Sequence, residues 1–424
     1  MAKRHMNQVG DLESLFLHLE ELVLANSGED EFEEVFKLLV AKLWDERRQA
    51  GAFRVHNQEA KTAEAIAALL KQADKAWPGI LEETQPRLTP EHLEVCVEAL
   101  SKHTISHECL EVMDSFFEFM VAKTAKGAKG QYFTPRHVVE LCVQMLRPTP
   151  SEIVVDPACG SGGFLVHTMN YIRPKLSATR LEEYCRTNLW GFDIDGRAVR
   201  VAKALMILAG DGSANIIRLN SLLRPSMAGM FSEEESVLTI EDVCRSRMRK
   251  HKGFDIILTN PPFAGEVRER QVLESYAVSA KKSRIERDVL FVERCVQLLR
   301  PGGRMAIVLP HNKFAAESFG FLREWLLRKA RILAVVGLGR NTFLPHTHQK
   351  ASVLFLQKYE ENGKPDRDYN IFFGISERDG KNSKGQFILK ESPSQSVWDQ
   401  VDHDLGEIAD QFNEFCEKEH LLEV

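Results

Sequence analysis

The part of this chain that most constrains its fold is residues 151–169, where a strand pattern, a glycine-rich turn and a helix pattern follow one another. The short apolar run Ile153-Val154-Val155 leads into Asp156-Pro157-Ala158-Cys159-Gly160-Ser161-Gly162-Gly163, and residues 164–169 have helical character. Glycines allow a tight bend and a close approach to a ligand, and a helix N-terminus favours a negative group. The pattern predicts an open α/β sheet that binds a ligand at the carboxyl ends of its strands.

Three classes of ligand compete for the glycine turn. A phosphate loop needs a Lys-Ser or Lys-Thr pair after the glycines, and this turn has neither. A dinucleotide site needs a three-glycine fingerprint, and the spacing here does not match it. An S-adenosylmethionine site needs an acidic residue at the strand end and a close backbone turn, which Asp156 and the glycines supply. The turn therefore favours S-adenosylmethionine as the cofactor.

A second strand ending in an acid supports that cofactor. Residues 188–195 read Asn-Leu-Trp-Gly-Phe-Asp-Ile-Asp, and residues 197–209 form an amphipathic helix pattern after them. The carboxylate of Asp193 at the end of this strand can accept hydrogen bonds from both ribose hydroxyls. The alternative is that Asp193 is a turn residue or a helix N-cap. We expect Asp193 and its neighbour Ile194 to line the cofactor site.

A further motif, Thr259-Asn260-Pro261-Pro262-Phe263, follows the apolar run of residues 254–258. Two prolines fix the backbone and bias the preceding asparagine toward extended geometry, so an amide oxygen and a peptide carbonyl can converge. Two acceptors suit an exocyclic amino group with two N–H donors, and Phe263 offers a face for a flat ring. Asn-Pro is also an ordinary turn signal, so the alternative is a plain loop. With the glycine turn upstream, the motif predicts group transfer to an amino nitrogen.

In this order the two motifs resemble those of amino-group DNA methyltransferases, in particular the modification (M) subunits of type I restriction-modification systems. The resemblance covers roughly residues 104–357. It extends to Lys129-Gly130-Gln131-Tyr132-Phe133-Thr134-Pro135-Arg136 ahead of the glycine turn, and to residues 299–310, which resemble the family's helix-turn-strand. Residues 342–356 resemble its closing hairpin region.

The resemblance implies an α/β, Rossmann-like S-adenosylmethionine-dependent methyltransferase domain with an N-terminal helical domain and a C-terminal helical tail. The domains would span residues 1–125, 126–358 and 359–424. The implied reaction is methylation of N6 of adenine in duplex DNA, giving N6-methyladenine at a specific site. The implied catalytic residues are Asn260, Pro261, Pro262 and Phe263.

The resemblance also implies a set of cofactor contacts. Residues 131–136, with Thr134 central, would close over the methionine end of the cofactor. At the position near the cofactor adenine where the family often has an acid, this chain has Asn220, whose amide can both accept and donate. The implied cofactor-binding set is Gln131, Tyr132, Phe133, Thr134, Pro135, Arg136, Asp156, Pro157, Gly160, Ser161, Gly162, Gly163, Asp193, Ile194 and Asn220.

The net charge of −6 over 424 residues is not typical of a protein that binds DNA on its own. DNA affinity depends heavily on neutralising phosphates. The best candidates for phosphate contact are Lys281, Lys282 and Arg284, which follow Phe263; the alternative is a solvated surface. Only about sixty residues follow the catalytic part, so we expect a separate specificity (S) subunit. The resemblance also makes a restriction nuclease (R) subunit a partner in the same assembly.

Composition sets further bounds on the class of protein. No apolar run is long enough to span a bilayer, and the N-terminus lacks the apolar core of a secretory signal. The eight cysteines are scattered without metal-ligand spacing, so we expect no metal site and a reducing, cytoplasmic location.

Helices are predicted at both ends of the chain. Residues 11–124 are mainly helical by their apolar spacing, with helices over 12–23, 32–43 and 107–122. Residues 397–422 predict one or two helices with Ile408, Phe412, Phe415 and Cys416 on a common face, which the resemblance assigns to subunit contact.

Four other functions stay open at this point. The same turn could serve a methyltransferase acting on N4 of cytosine, on RNA bases or on a protein glutamine. A non-catalytic assembly subunit that keeps the fold is the alternative outside enzymes. The presence of Asn260, Phe263 and the glycine turn argues against that alternative.

Overall fold

The computed structural model describes residues 14–21, 28–105, 113, 116–117, 133–210, 215–225, 238–247, 252–280, 282–361, 368–391 and 400–422. The chain divides into two compact units. One consists of Met1–Gly127, Lys203–Ser213 and Pro393–Asp399, and the other of Ala128–Ala202, Ala214–Ser392 and Gln400–Val424. The three predicted domain ranges stay predictions. Gln131, Tyr132, Lys281 and most of the predicted helix at 107–122 lie outside the described residues.

The first unit contains the helices α1 (Glu31–Arg48), α2 (Glu59–Ala76) and α3 (Pro90–Ser101), and side chains cap the starts of α1 and α3. The Asp30 carboxylate accepts from the Glu33 N–H at the start of α1, and Thr89 accepts from the His92 N–H at the start of α3. The predicted helix over 32–43 is confirmed, and residues 14–21 within the predicted 12–23 helix are helical. The side chains that set the 32–43 pattern are buried: Phe32, Val35, Phe36, Leu39 and Leu43.

The second unit is built on an eight-stranded sheet, so the predicted α/β class is confirmed. In chain order its strands are β1 (Val154–Asp156), β2 (Leu189–Asp193), β3 (Asn215–Arg218), β4 (Phe254–Thr259), β7 (Leu299–Pro310), β8 (Ala330–Gly337), β9 (Ala351–Lys358) and β10 (Phe372–Ile375). In space the order is β10-β8-β9-β7-β4-β1-β2-β3. Strand β9 is antiparallel to both neighbours, and the other pairs are parallel. A separate antiparallel pair joins β5 (Glu266–Val267) to β6 (Ile285–Glu286).

Two details differ from the sequence expectations. Residues 299–310, expected to hold a helix, a turn and a strand, form the single strand β7, and the register between β4 and β7 shifts near its start. Gly302 in this stretch has φ of 73°, so the Pro-Gly-Gly segment bends without ending the strand. Strand β10 was not predicted from the sequence.

The helices that lie wholly in the second unit are α4 (Arg136–Leu146), α5 (Gly163–Ile172), α6 (Ala178–Asn188), α8 (Ile240–Arg247), α9 (Arg270–Glu274), α10 (Arg287–Leu298), α11 (Asn312–Ala315), α12 (Gly320–Leu327) and α13 (Leu405–Lys418), and α7 (Gly196–Leu208) belongs to this unit up to Ala202. The predicted C-terminal helix is confirmed as α13, whose residues Ile408, Phe412 and Cys416 are buried. The Phe412 ring contacts those of Phe355 and Phe372, which fixes α13 against the sheet.

The core of the second unit lies around the central strands. Because helices cover parallel sheets on both faces, such strands are apolar along their whole length. Strand β4 shows this in Ile256, Ile257 and Leu258, all of which are fully buried. In the described part of the chain, no helix has both the length and the apolar character needed to cross a membrane. The same residues contain no group of three His, Cys, Asp or Glu side chains placed to hold a metal.

Candidate active site at the carboxyl edge of the sheet

The two sequence motifs meet where β1 and β4 end. These strands are parallel neighbours, with Val155 opposite Ile257, so their carboxyl ends reach the same edge. The Thr259 hydroxyl donates to Asp156 Oδ1 at 2.7 Å, and the Ala158 N–H donates to the same oxygen at 3.0 Å. Asp156 is only 1% exposed. The Asp156 carboxylate therefore links the glycine turn to the Asn-Pro-Pro turn through hydrogen bonds.

Burial makes the Asp156 carboxylate costly to ionise. Desolvation raises the pKa of Asp156 from its usual 3.8 to about 7, while the hydrogen bonds from Thr259 and Ala158 lower it. The folded chain thus holds a proton that the unfolded chain releases near pH 4, so the free energy of unfolding falls as pH rises from about 4 to about 7. Above the pKa of the folded state, the contribution of Asp156 to the free energy of unfolding no longer changes with pH.

Asp156→Asn is expected to remove that part of the pH dependence. Asparagine keeps an oxygen that can accept from Thr259 and Ala158, and it does not titrate. Thermal unfolding measured from pH 4 to pH 8 should therefore show a flatter decline in Tm for the variant than for the wild type. Asp410→Asn, at an exposed position of α13, is the control and should follow the wild type. Equal slopes in all three proteins would contradict the assignment.

The end of β2 holds the glycine turn in place. Asp193 Oδ2 accepts from the Gly160 N–H at 2.9 Å, and the Cys159 N–H donates to the Phe192 carbonyl at 3.0 Å. Burial raises the pKa of Asp193, while backbone donors oppose that shift. Asp193 Oδ1 also accepts from the Asp195 N–H at 2.9 Å, so Asp193 is a turn residue as the alternative expected, whereas the N-cap of α7 is Asp195, whose Oδ1 accepts from the Arg197 N–H at 2.8 Å. A carboxylate accepts about four hydrogen bonds, so Asp193 retains capacity for a ligand.

The turn itself faces open space. Gly160 and Gly162 have φ of 51° and 85°, in the left-handed region that favours glycine. A Cβ atom added at Gly160 would meet no atom within 4 Å, whereas one at Gly162 would lie 3.1 Å from the Ala202 Cβ. The turn is thus open to a ligand at Gly160, whereas at Gly162 it packs against α7.

The residues after β2 and β3 form the adjoining part of the edge. Ile194 is 59% exposed, an apolar side chain available to a ligand. Asn220 is half-buried, and its Oδ1 accepts from the Leu222 N–H at 3.1 Å. The Ser221 hydroxyl donates to the Pro157 carbonyl at 2.5 Å, which fixes the loop after β3 to the glycine turn. Asn220 therefore uses its oxygen within its own turn and has its amide N–H groups for other partners.

The catalytic candidates lie directly after β4. Asn260 is half-buried, and its Nδ2 donates to the Thr134 hydroxyl oxygen at 3.0 Å. Phe263 is 8% exposed, and its ring meets that of Phe343 edge-on, with centroids 5.7 Å apart. No sequence pattern gave Phe343 a role in the site. Phe343 lies in the connection between β8 and β9, which are three and two strands away from β4, and residue spacing does not reveal this.

The segment before α4 contacts both motifs. Thr134 contacts the Asn-Pro-Pro turn, and the buried Arg136 side chain reaches the glycine turn, with Nη2 3.5 Å from Ser161 Oγ. A Cβ atom added at Gly163 would lie 1.7 Å from Arg136 Nη1, so a side chain there would displace the guanidinium. Phe133 and Pro135 are half-buried beside them. The segment thus brings a cation and a hydroxyl to the edge of the sheet.

Of the predicted phosphate contacts, Lys282 and Arg284 lie just before β6, which pairs with β5 after the catalytic turn. Glu266 in β5 pairs with Arg268 at 2.9 Å and with Arg284 at 3.4 Å, and both arginines are largely exposed. Lys282 is exposed, and its ammonium lies over the Phe321 ring. Glu266 therefore holds two of the basic side chains together on the surface.

Comparison with known proteins identifies the family. Residues 110–424 match the model of the N-6 DNA Methylase family. The type I restriction enzyme StySPI methylase subunit of Salmonella potsdam is 26% identical over 56% of this chain and 42% of its own length. The type I restriction enzyme HindI methylase subunit of Haemophilus influenzae is 40% identical over 58% of this chain and 51% of its own length. The chain spans about half the length of these curated relatives.

A solved structure has the same fold. The type I restriction-modification system methyltransferase subunit from Streptococcus thermophilus aligns with a TM-score of 0.64 at 16% identity, over 98% of this chain and 93% of that one. At this identity the likeness shows the fold alone. The family model, by contrast, covers most of the chain, including both motifs at the edge of the sheet. This chain belongs to the N-6 DNA Methylase family.

Proposed function

We propose that this chain transfers a methyl group from S-adenosylmethionine to N6 of adenine in duplex DNA. The observation that carries the proposal is the joining of the two turns, in which Asp156 binds Thr259 and so sets Asn260 beside the glycine turn. A half-buried amide next to a ligand-binding turn suits transfer to an amino group. Membership of the N-6 DNA Methylase family supports the same class of reaction.

The residues at the sheet edge fit S-adenosylmethionine. Gly160 faces open space where a ligand can approach the backbone. Asp193 would accept from the ribose hydroxyls, and Arg136 with Ser161 would bind the methionine carboxylate. Ile194 and Asn220 would contact the adenine ring. When bound, S-adenosylmethionine supplies an electrophilic methyl group on its sulfonium sulfur.

The other half of the site would hold the target base. A base inside a duplex is inaccessible, so the adenine must leave the stack. Asn260 Oδ1 and the Pro261 carbonyl would accept from the two N6 hydrogens, Pro262 would keep the turn rigid, and Phe263 would contact the ring. This arrangement directs the nitrogen lone pair toward the methyl group. As the new N–C bond forms the C–S bond breaks, and the amino group then loses one proton to solvent.

We further propose that the chain works as the modification subunit of a type I restriction-modification assembly in the cytoplasm. The net charge of −6 disfavours independent DNA binding, so reading of the DNA sequence would belong to a separate specificity (S) subunit. A restriction nuclease (R) subunit is the expected third component. The names of the StySPI and HindI relatives support this assembly.

Base-resolved methylation mapping tests the proposed function. DNA from cells expressing this chain with its neighbouring genes would be compared with DNA from cells that lack only this chain. The expected result is N6-methyladenine at one defined motif in the first strain and none in the second. N4-methylcytosine at such a motif, or no difference between the strains, would overturn the proposal.

Reversing Lys282 and Arg284 to glutamate is expected to weaken DNA binding by the assembled complex. Each lost phosphate contact should reduce the steepness of log affinity against log salt by about 0.9. Binding would be measured by fluorescence anisotropy across a salt series. Arg180→Glu with Arg186→Glu is the matched control, because it changes the net charge equally on exposed positions of α6. An equal slope for the two double variants would rule out a phosphate contact.

A further inference from the structure

The orientation of the Asn260 amide decides whether it can bind an amino group. An amide presents an acceptor at one end and two donors at the other. An amino group that donates two hydrogens must meet Oδ1, because a reversed amide would place N–H against N–H. The hydrogen bond from Nδ2 to the Thr134 hydroxyl at 3.0 Å leaves Oδ1 on the other side. The contact with Thr134 therefore favours the productive orientation.

Thr134 is well placed to hold that contact rigidly. It precedes Pro135, which restricts the backbone of the residue before it, and β-branching restricts the rotation of its own side chain. The Pro135 carbonyl accepts from the N–H groups of Val138 at 2.8 Å and Val139 at 3.1 Å, which anchors the segment to α4. Nearly all of α4 is buried. The Thr134 oxygen is thus fixed relative to the sheet.

We propose that Thr134 is a positioning residue for methyl transfer, whose hydroxyl oxygen accepts from Asn260 Nδ2 and holds Oδ1 toward the target amino group. This inference rests on the proposed function. It gives Thr134 a role on the target side, distinct from closing over the methionine end of the cofactor. The two roles predict different losses when the hydroxyl is removed.

The test compares Thr134→Val with Thr134→Ser in the complex assembled with its partner subunits. Valine has the shape of threonine without the acceptor, and serine keeps the acceptor. Single-turnover methyl transfer to a duplex containing the target motif would be measured at saturating S-adenosylmethionine and DNA. Thr134→Val should lower this rate about tenfold, the worth of one hydrogen bond, while Thr134→Ser should restore most of it. The dissociation constant for S-adenosylmethionine should stay within about twofold in both variants.

A double variant locates the effect at Asn260. If Thr134 acts through the amide, adding Thr134→Val to Asn260→Ala should cause no further loss of rate. A wild-type rate in Thr134→Val would overturn the inference, as would weaker S-adenosylmethionine binding with an unchanged saturated rate. Absence of N6 methylation by the wild-type complex would instead show that the proposed function is wrong. Equal Tm values for the single variants would exclude a general loss of folding.

Discussion

Replacing Asn260 with alanine is expected to slow methyl transfer to adenine by on the order of 10²–10³-fold, the loss seen when one preorganised polar group is removed from a reacting centre. The amide would act on the amino group before and during transfer, so its loss should lower the saturated rate. Cofactor affinity should hardly change, because the hydrogen bonds that hold the glycine turn run to the carboxylates of Asp193 and Asp156. Single-turnover rates and calorimetric titration with S-adenosylmethionine measure the two quantities separately.

Asn370→Ala is the matched control for this change. Asn370 is exposed, and its amide donates to Glu419 at the surface. The control variant should methylate DNA at the wild-type rate. If Asn260→Ala also kept a wild-type rate, the catalytic assignment of the Asn-Pro-Pro turn would be wrong.

Replacing Gly160 with alanine is expected to weaken S-adenosylmethionine binding by about 10- to 100-fold, since forcing a methyl group into a fitted space costs about 1–3 kcal/mol. A Cβ atom there meets no protein atom within 4 Å, so it would project into the open space at the front of the turn. The fold should lose only about 1–2 kcal/mol, the cost of a side chain in the left-handed region. Calorimetric titration and thermal unfolding separate the loss of affinity from the loss of stability.

Gly51 offers a control with the same backbone strain. It has φ of 67°, and a Cβ atom there also meets nothing within 4 Å, but it lies in the other compact unit. Gly51→Ala should lose similar stability and bind S-adenosylmethionine as the wild type does. If the two variants bound the cofactor equally well, the glycine turn would not be the cofactor site.

The local course of the chain could be predicted well where the pattern is strong and short in range. The strand, glycine turn and helix of residues 153–172 follow from an apolar run, a run of flexible residues and a change to helical spacing of the apolar residues, all within twenty residues of sequence. The same holds for β4 and its Asn-Pro-Pro turn, because two prolines restrict the backbone wherever they occur. Strand β10 lacks such a signal: its four residues are only weakly patterned, and its pairing with β8 defines it.

The side-chain connections within the site were harder to predict. Thr134 and Asn260 are 126 positions apart, and no local pattern indicates that one hydroxyl meets one amide. The Asp-Ile-Asp sequence offered two carboxylates at alternate positions, and which one caps α7 depends on the helix starting at Gly196. The role of Asp156 as a buried link likewise depends on β1 and β4 being neighbours in the sheet. Topology supplies this information, and residue types alone do not.

The strand order also has a consequence for synthesis of the chain on the ribosome. Strand β4 can pair with β1 as soon as it emerges, and β7 can then cover the edge of β4. Strand β8 cannot pair when it emerges, because its neighbours in the sheet are β9 and β10, which are both translated later. Its apolar residues, Ile332, Leu333, Ala334 and Val336 among them, must wait until residue 358 has emerged. A nascent chain stalled between β8 and β9 would display an unpaired apolar strand, which makes that interval the one most in need of chaperone protection.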